Sequence, residues 1–197
     1  RWSLFPSFSK KVFKNITIAL PQNLETKNYL KKLGVKNIKF IGNLKYFKNF
    51  RQNSKTNIQK YFKNRKVLCA ASTHYNEEKI IGKLHLKLKK DFKNLITILV
   101  PRHINRSEEI KQELKKLKLI VIERSSGLKP STDCDVYIVD TYGEMSNFLG
   151  LSNVTFIGGS IVNHGGQNPL EAVRMGNYVM HGKKVNNFKE IYKELKS

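Results

Sequence analysis

Acidic residues are scarce in this chain. Fifteen Asp and Glu stand against 37 Lys and Arg in 197 residues, a formal charge of +22. The scarcity is uneven: residues 1–66 hold seventeen Lys and Arg and a single acid, Glu25. A polyanionic partner, either nucleic acid or an anionic membrane surface, fits that imbalance. A genome that favours lysine, asparagine and isoleucine codons fits it too. No zinc-finger spacing, aromatic–glycine RNA motif or heptad basic region is present, so nucleic acid is not taken as a partner. Cysteine is equally sparse. Cys69 and Cys134 lie in or beside apolar strand patterns, with neither a disulfide framework nor metal-ligand spacing, and read as buried thiols in a reducing compartment.

Other absences exclude whole classes. No apolar run approaches the roughly 20 residues of a membrane span. No signal peptide is visible, and the chain opens on Arg1 rather than Met, which reads as a fragment. A Gly-x-x-x-x-Gly-Lys-Ser/Thr loop is missing, which argues against a P-loop ATPase. A Gly-x-Ser-x-Gly elbow is missing, which argues against a serine hydrolase. The first strand–helix turn, 70–76, contains no glycine, which disfavours a nicotinamide dinucleotide fold.

What the chain does have is a hydrophobic content of 40%, enough for a packed core, and an alternation of short apolar runs with helical patterns. Strands are expected at 67–71, 95–100, 119–123, 136–140, 154–157 and 178–180. Helices are expected near 77–90, 107–117, 143–149, 169–175 and 187–195. Continuous apolar strands separated by helices indicate a Rossmann-like α/β fold, a parallel sheet with helices on both faces. Residues 16–20 and 38–41 read as strands flanking a helix at 23–33 that Gly34 ends. The expected division is 1–42 as the end of a preceding domain, 43–55 as a polar, basic hinge, and 56–197 as the Rossmann-like domain.

Four polar clusters follow predicted strands: Ser72-Thr73-His74-Tyr75-Asn76-Glu77-Glu78, Pro101-Arg102-His103-Ile104-Asn105-Arg106, Asp140-Thr141-Tyr142-Gly143-Glu144, and a glycine loop running from Gly158-Gly159-Ser160 through His164-Gly165-Gly166-Gln167 to Asn168-Pro169-Leu170-Glu171. In an open parallel sheet these turns share one edge, where ligands bind. Glycines let backbone approach a ligand, and a helix start offers N–H groups and positive partial charge, so the glycine loop reads as a phosphate site. Arg102 can grip a phosphate or carboxylate bidentately; it also reads as an ordinary surface arginine. Glu171 can accept from ribose hydroxyls, or act only as a favourable charge at a helix start. Asn168 can cap that helix. Gly143 and Glu144 can hold a base or sugar edge through the backbone, or simply open a helix. His74, His103 and His164 lack metal-ligand spacing. Asp133-Cys134-Asp135 matches an Asp-x-Asp metal motif but precedes a strand in a polar turn and reads as structural.

Taken in order, Ser72-Thr73-His74, Pro101-Arg102-His103 with Arg106, Asp140-Thr141 with Gly143-Glu144, Gly158-Gly159-Ser160, His164-Gly165-Gly166 and Asn168-Pro169-Leu170-Glu171 resemble the bacterial 3-deoxy-D-manno-octulosonic acid (Kdo) transferases. Gly42-Asn43-Leu44-Lys45 resembles that family's hinge motif, and Asn187-Phe188 its motif near the end. The resemblance implies one half of a GT-B glycosyltransferase, with the active site in the cleft between two Rossmann-like domains. It implies transfer of Kdo from CMP-Kdo to a lipid A precursor in lipopolysaccharide biosynthesis, with inversion, without a metal or other cofactor, at the cytoplasmic face of the inner membrane.

By the same resemblance, Pro101, Arg102, Tyr142, Gly143, Glu144, Asn168, Pro169, Leu170 and Glu171 contact the CMP part of the donor. Ser72, Thr73, His74, His103, Gly158, Gly159, Ser160, Gly165 and Gly166 support the donor loops. Tyr142 stands where the family usually has Met, Gln167 where it has His, and Lys183 where it has Pro. The family's general base is a glutamate of a glycine-containing loop in the amino-terminal domain. Glu25 sits in a different context, so no catalytic residue is assigned to this chain, which alone is expected to bind CMP and catalyse nothing. The expected partners are CMP-Kdo, the lipid A precursor, the amino-terminal domain and the anionic membrane surface. A GT-B enzyme using a UDP-sugar and a non-catalytic basic binding fragment are the alternatives.

Overall fold

A computed structural model describes residues 2–41 and 57–195. The hinge-like Gly42-Asn43-Leu44-Lys45 therefore lies outside the described residues. The chain divides into two units, Arg1–Asn49 and Phe50–Ser197.

The first unit carries α1 (Pro6–Phe13) and α2 (Leu24–Lys32). The sequence reading missed α1, whose Pro6 stands in the first turn, where a missing N–H is harmless. Ser9 fastens it by donating to the carbonyls of Phe5 (2.8 Å) and Trp2. Asn23 caps α2, accepting from Thr26 N–H at 2.8 Å, and Gly34 follows it at φ +87°. The strands expected at 16–20 and 38–41 reduce to one parallel bridge, Ala19 to Ile38. Ile18, Leu20, Phe40 and Ile41 are exposed, so among the described residues no buried face holds a longer ladder together.

The second unit is a six-stranded, wholly parallel sheet: β1 (Lys66–Thr73), β2 (Leu95–Pro101), β3 (Val121–Glu123), β4 (Val136–Ile138), β5 (Val154–Ile157) and β6 (Tyr178–His181). Their order is β3-β4-β2-β1-β5-β6. β1 and β2 are central and almost wholly buried, as their uninterrupted apolar runs require. Side chains alternate between two covered faces. Leu99, Val136 and Ile138 pack on Ile110 and Leu114 of α4 (Ser107–Lys116), and Ala70 and Phe156 pack on Ile81 of α3 (Glu77–Leu88). On the other face Cys69, Ala71, Ile98, Val100, Tyr137 and Ile157 pack on Phe148 and Leu149 of α5 (Met145–Leu149) and Ala172 of α6 (Leu170–Arg174). A last helix, α7 (Lys189–Glu194), buries Ile191 and Tyr192. Gly82 lets α3 and α4 meet: a Cβ there would stand 2.6 Å from a Leu114 methyl.

Strands β3 and β4 and helices α5 and α6 are shorter than the apolar runs indicate. β4 stops short where polar turns begin at Asp140 and Gly143, the latter at φ +78°, whereas β3 starts late because Ile120 N–H donates to the Asp135 carboxylate and Ile120 O accepts from Asp135 N–H.

The Asp-x-Asp motif is structural. Asp135 lies at the opposite, amino edge, where its carboxylate accepts from Ile120 N–H (2.9 Å) and pairs with Lys89 and His85. Both cysteines are buried, and burial pushes the Cys69 thiol up to about 12.

Candidate functional site

The chain leaves β1 for β2 on one side, and β5 later joins β1 on the other. The gap above β1 and β5 is therefore the switch point of the sheet, where the flanking loops diverge. The turn after β1 and the glycine loop after β5 meet there. Their backbones come so close that a Cβ on Gly158 would lie 2.2 Å from the Ser72 carbonyl oxygen and 2.6 Å from Thr73 Cα. Ser72 itself is at φ 55°. Gly158 N–H donates to Ala71 O (2.9 Å), extending the ladder one residue past β5.

Three imidazoles from three loops collect at this point. His74 follows β1, His103 follows β2, and His164 lies in the glycine loop. The His74 ring sits 4.0 Å from that of His164 and 5.8 Å, edge-on, from that of His103. Gln167 Nε2 donates to His74 Nε2 at 3.0 Å, which places the His74 proton on Nδ1. Burial, then the neighbouring His164, holds His74 below its ordinary pKa, and Arg102 acts in the same direction. His103, His164 and Arg102 are exposed, and Arg102 N–H donates to Thr73 O at 3.0 Å. Among the described residues no group of His, Cys, Asp or Glu is arranged to hold a metal ion.

The glycine loop is braced internally. Gly166 N–H donates to Gly159 O (2.7 Å) and Gln167 N–H to Gly158 O (3.1 Å). Gly165 stands at φ +87° with the Asn187 side chain against it, and Asn187 Nδ2 donates to His164 O at 3.0 Å. Tyr192 of α7 donates to Gln167 O at 3.0 Å. Asn168 Oδ1 accepts from Leu170 N–H at 3.1 Å, just ahead of α6. Pro169 and Leu170 are buried, Glu171 is half-buried, and α6 packs beside α5.

One expectation needs correction. The amides of Gly159, Ser160 and Ile161, read from sequence as phosphate donors, already donate to the buried carboxylate of Glu77 at 2.7–3.0 Å. The Glu144 side chain is likewise engaged within the protein. It takes the fork of Arg124 at 3.1 and 3.0 Å and the Thr141 hydroxyl, and the Arg124 guanidinium holds its carboxyl below the ordinary value. Only the backbone route remains for Gly143 and Glu144. Tyr142, just ahead of them, is 85% exposed.

The structure thus gathers Ser72, Thr73, His74, His103, Gly158, Gly159, Ser160, Gly165 and Gly166 around one point. Arg102 adjoins them, and Asn168–Glu171 flank them at the start of α6. Tyr142–Glu144 stand two strands from β1 on the same edge, above β4. Arg106 is drawn aside by Glu78 (3.0 Å) and Glu109 (3.3 Å).

Sequence reasoning gave Glu77 and Arg124 no role. The trace of Glu77 was an acid in the first helical turn after a buried strand. One of its partners, His74 N–H, is local, but the other three, the amides of 159–161, lie more than eighty residues away, which no local pattern reveals.

Fold and loops together define a Rossmann-like domain of the kind that forms one half of a GT-B glycosyltransferase. The chain is 36% identical over 184 residues to the 3-deoxy-D-manno-octulosonic acid transferase of Haemophilus influenzae, covering 90% of this chain and 43% of that protein. The protein of the same name from Rickettsia felis is 31% identical, covering 92% and 39%. Among solved structures, the C-terminal CMP-Kdo binding domain of WaaA from Acinetobacter baumannii superposes with a TM-score of 0.65 at 35% identity, over 68% of this chain and 70% of that one. A Listeria monocytogenes structure described as a UDP-N-acetylglucosamine 2-epimerase shares the fold at TM-score 0.50 and 14% identity. No family model matches. The chain belongs to the 3-deoxy-D-manno-octulosonic acid transferase family and spans about two fifths of the length of these curated relatives.

Proposed function

We propose that this chain is the donor-binding part of a Kdo transferase and holds CMP-Kdo along the carboxyl edge of its sheet. The observation that carries this reading is the meeting of the β1, β2 and β5 loops at the switch point, with His74, His103, His164 and Arg102 facing one place. The starts of α5 and α6 flank it on the other face of the sheet. At about 4.8 Å per strand, β4 and β5 stand roughly 14 Å apart, a span that suits a nucleotide-sugar laid across β2 and β1.

In this reading Gly143 and Glu144 offer backbone groups to the cytosine, and Glu171 accepts from the ribose hydroxyls. Pro101 shapes the approach of Arg102 to the phosphate. As CMP departs, negative charge grows on its phosphate. With the amides of 159–161 spent on Glu77, Arg102 and the exposed imidazoles are the groups placed to meet that charge, and no metal is invoked. The acceptor, a lipid A precursor, is deprotonated by a glutamate of the amino-terminal domain on the family pattern, and attack from the opposite face inverts the anomeric carbon. Closure of the two domains aligns the substrates. The chain by itself binds donor and transfers nothing. The basic residues of 1–66 rest against anionic lipid at the cytoplasmic face of the inner membrane, each worth about 1 kcal/mol near the surface.

The test is calorimetric titration with CMP and with UDP. CMP must bind better. A preference for UDP replaces this reading with a UDP-sugar enzyme, and salt-sensitive RNA binding without nucleotide affinity replaces it with a basic binding fragment. Co-sedimentation with anionic and neutral vesicles tests the membrane contact separately.

A further inference from the structure

Glu77 lies in the first turn of α3 and is fully buried. Among the described residues its carboxylate has no cationic partner. One oxygen accepts from the N–H groups of His74 (2.9 Å) and Gly159 (2.7 Å), the other from those of Ser160 and Ile161 (both 3.0 Å). Gly159, at φ +66°, turns three successive amides toward the same spot, the concave arrangement that elsewhere captures an anion. Here the anion belongs to the chain itself.

An ionised carboxylate removed from water is costly unless hydrogen bonds replace its hydration, so the four donors are held to it jointly. Burial alone does not produce this contact. Glu78, the next residue and equally buried, turns instead to Arg106.

We propose that Glu77 is a positioning residue for the donor site: its carboxylate locks the β1 turn to the glycine loop and so sets the spacing of the groups that meet the donor. The inference rests on the donor-binding reading above. The clamp reaches further than its own four bonds. Fixing His74 N–H fixes the ring that lies against His164, tilted by 36°, and accepts from Gln167. Fixing Gly159 fixes the segment onto which Gly166 and Gln167 fold back. Fixing Ser160 fixes the loop after β6, because Ser160 O accepts from Lys184 N–H (2.9 Å) and Ser160 Oγ from Gly182 N–H (2.8 Å).

The experiment is a set of CMP titrations on the 197-residue chain, with unfolding midpoints measured alongside. Glu77→Gln, which turns one acceptor into a donor facing an amide, is expected to weaken CMP binding about ten- to a hundredfold. Asp135→Asn alters a buried carboxylate at the other edge of the sheet. It is expected to lower the midpoint while CMP affinity stays within about twofold. In Glu77→Ala, added formate is expected to enter the vacated nest and restore CMP affinity, a rescue that a general loss of stability would not show. In the wild type, the amide protons of residues 159–161 are expected to exchange as slowly as those of β1. Unchanged CMP affinity in Glu77→Gln, or a Glu77→Ala chain that formate does not restore, overturns the inference. If neither variant folds, rapid exchange at 159–161 in the wild type overturns it. A wild-type chain that does not bind CMP overturns the donor reading and the positioning role together. A wild-type chain that binds beside an unaffected Glu77→Gln overturns the positioning role alone.

Discussion

The two edges of the sheet use the same device with opposite charge. At the amino edge the Arg65 guanidinium donates to the carbonyls of Asn94 (3.3 Å), Leu95 (2.9 Å), Ser131 (3.1 Å) and Cys134 (2.7 Å). At the carboxyl edge the Glu77 carboxylate accepts from four backbone amides. In each case one charged side chain ties loops that are distant in sequence. The edges differ in what is left over. At the amino edge Asp135 is matched by Lys89, His85 and Ile120 N–H, and His85 also meets Thr97 Oγ1 at 2.9 Å. At the carboxyl edge Arg102, His103, His164 and Tyr142 remain exposed. Charge satisfied within the fold serves stability; charge left facing outward serves a ligand.

The contrast is broken most severely at the amino edge. Asp135→Ala leaves Lys89, His85 and an amide without their acceptor, and is expected to cost ~3–5 kcal/mol in urea unfolding while CMP affinity holds. Gly158→Ala comes next. It forces a Cβ against the Ser72 carbonyl at the switch point and should cost ~1–3 kcal/mol, with CMP binding weakened as well. Arg102→Ala should do the reverse of Asp135→Ala. It should weaken CMP about tenfold, or ~1.4 kcal/mol, and move the urea midpoint very little.

The smallest effect is that of pH. Burial holds the pKa of both His85 and His74 below the ordinary value in the folded chain. The unfolded chain therefore takes up these protons first as pH falls. Stability from the neutral rings is complete above the unfolded value of about 6.5 and is lost as pH drops through it toward the lower folded values. Urea midpoints should fall between about pH 7.5 and about pH 5.5, and His85→Gln should flatten the slope.

The parallel sheet was legible because β1, β2 and β5 are continuous apolar runs bounded by polar turns, a pattern that burial on both faces demands. The shared ligand edge followed from the strand direction. The particular partners did not follow. Glu77 and the amides of 159–161, like Arg124 and Glu144, are brought together only by the order in which strands insert into the sheet. Each reads locally as a helix-start acid or a surface ion pair. The bridge at Ala19 and Ile38 failed in the other direction: apolar residues were present, but Ile18, Leu20, Phe40 and Ile41 beside it stay exposed.

The strand order also dictates a sequence of events along the chain. β1 gains its first neighbour, β2, about thirty residues later, but β5 closes its other side only after residue 154 has been made. Until then the Glu77 carboxylate lacks three of its four amides. The glycine loop supplies them across more than eighty residues, and Asn187 and Tyr192 brace that loop from further on still. The switch point thus rests on contacts of long sequence separation, the kind that slow folding.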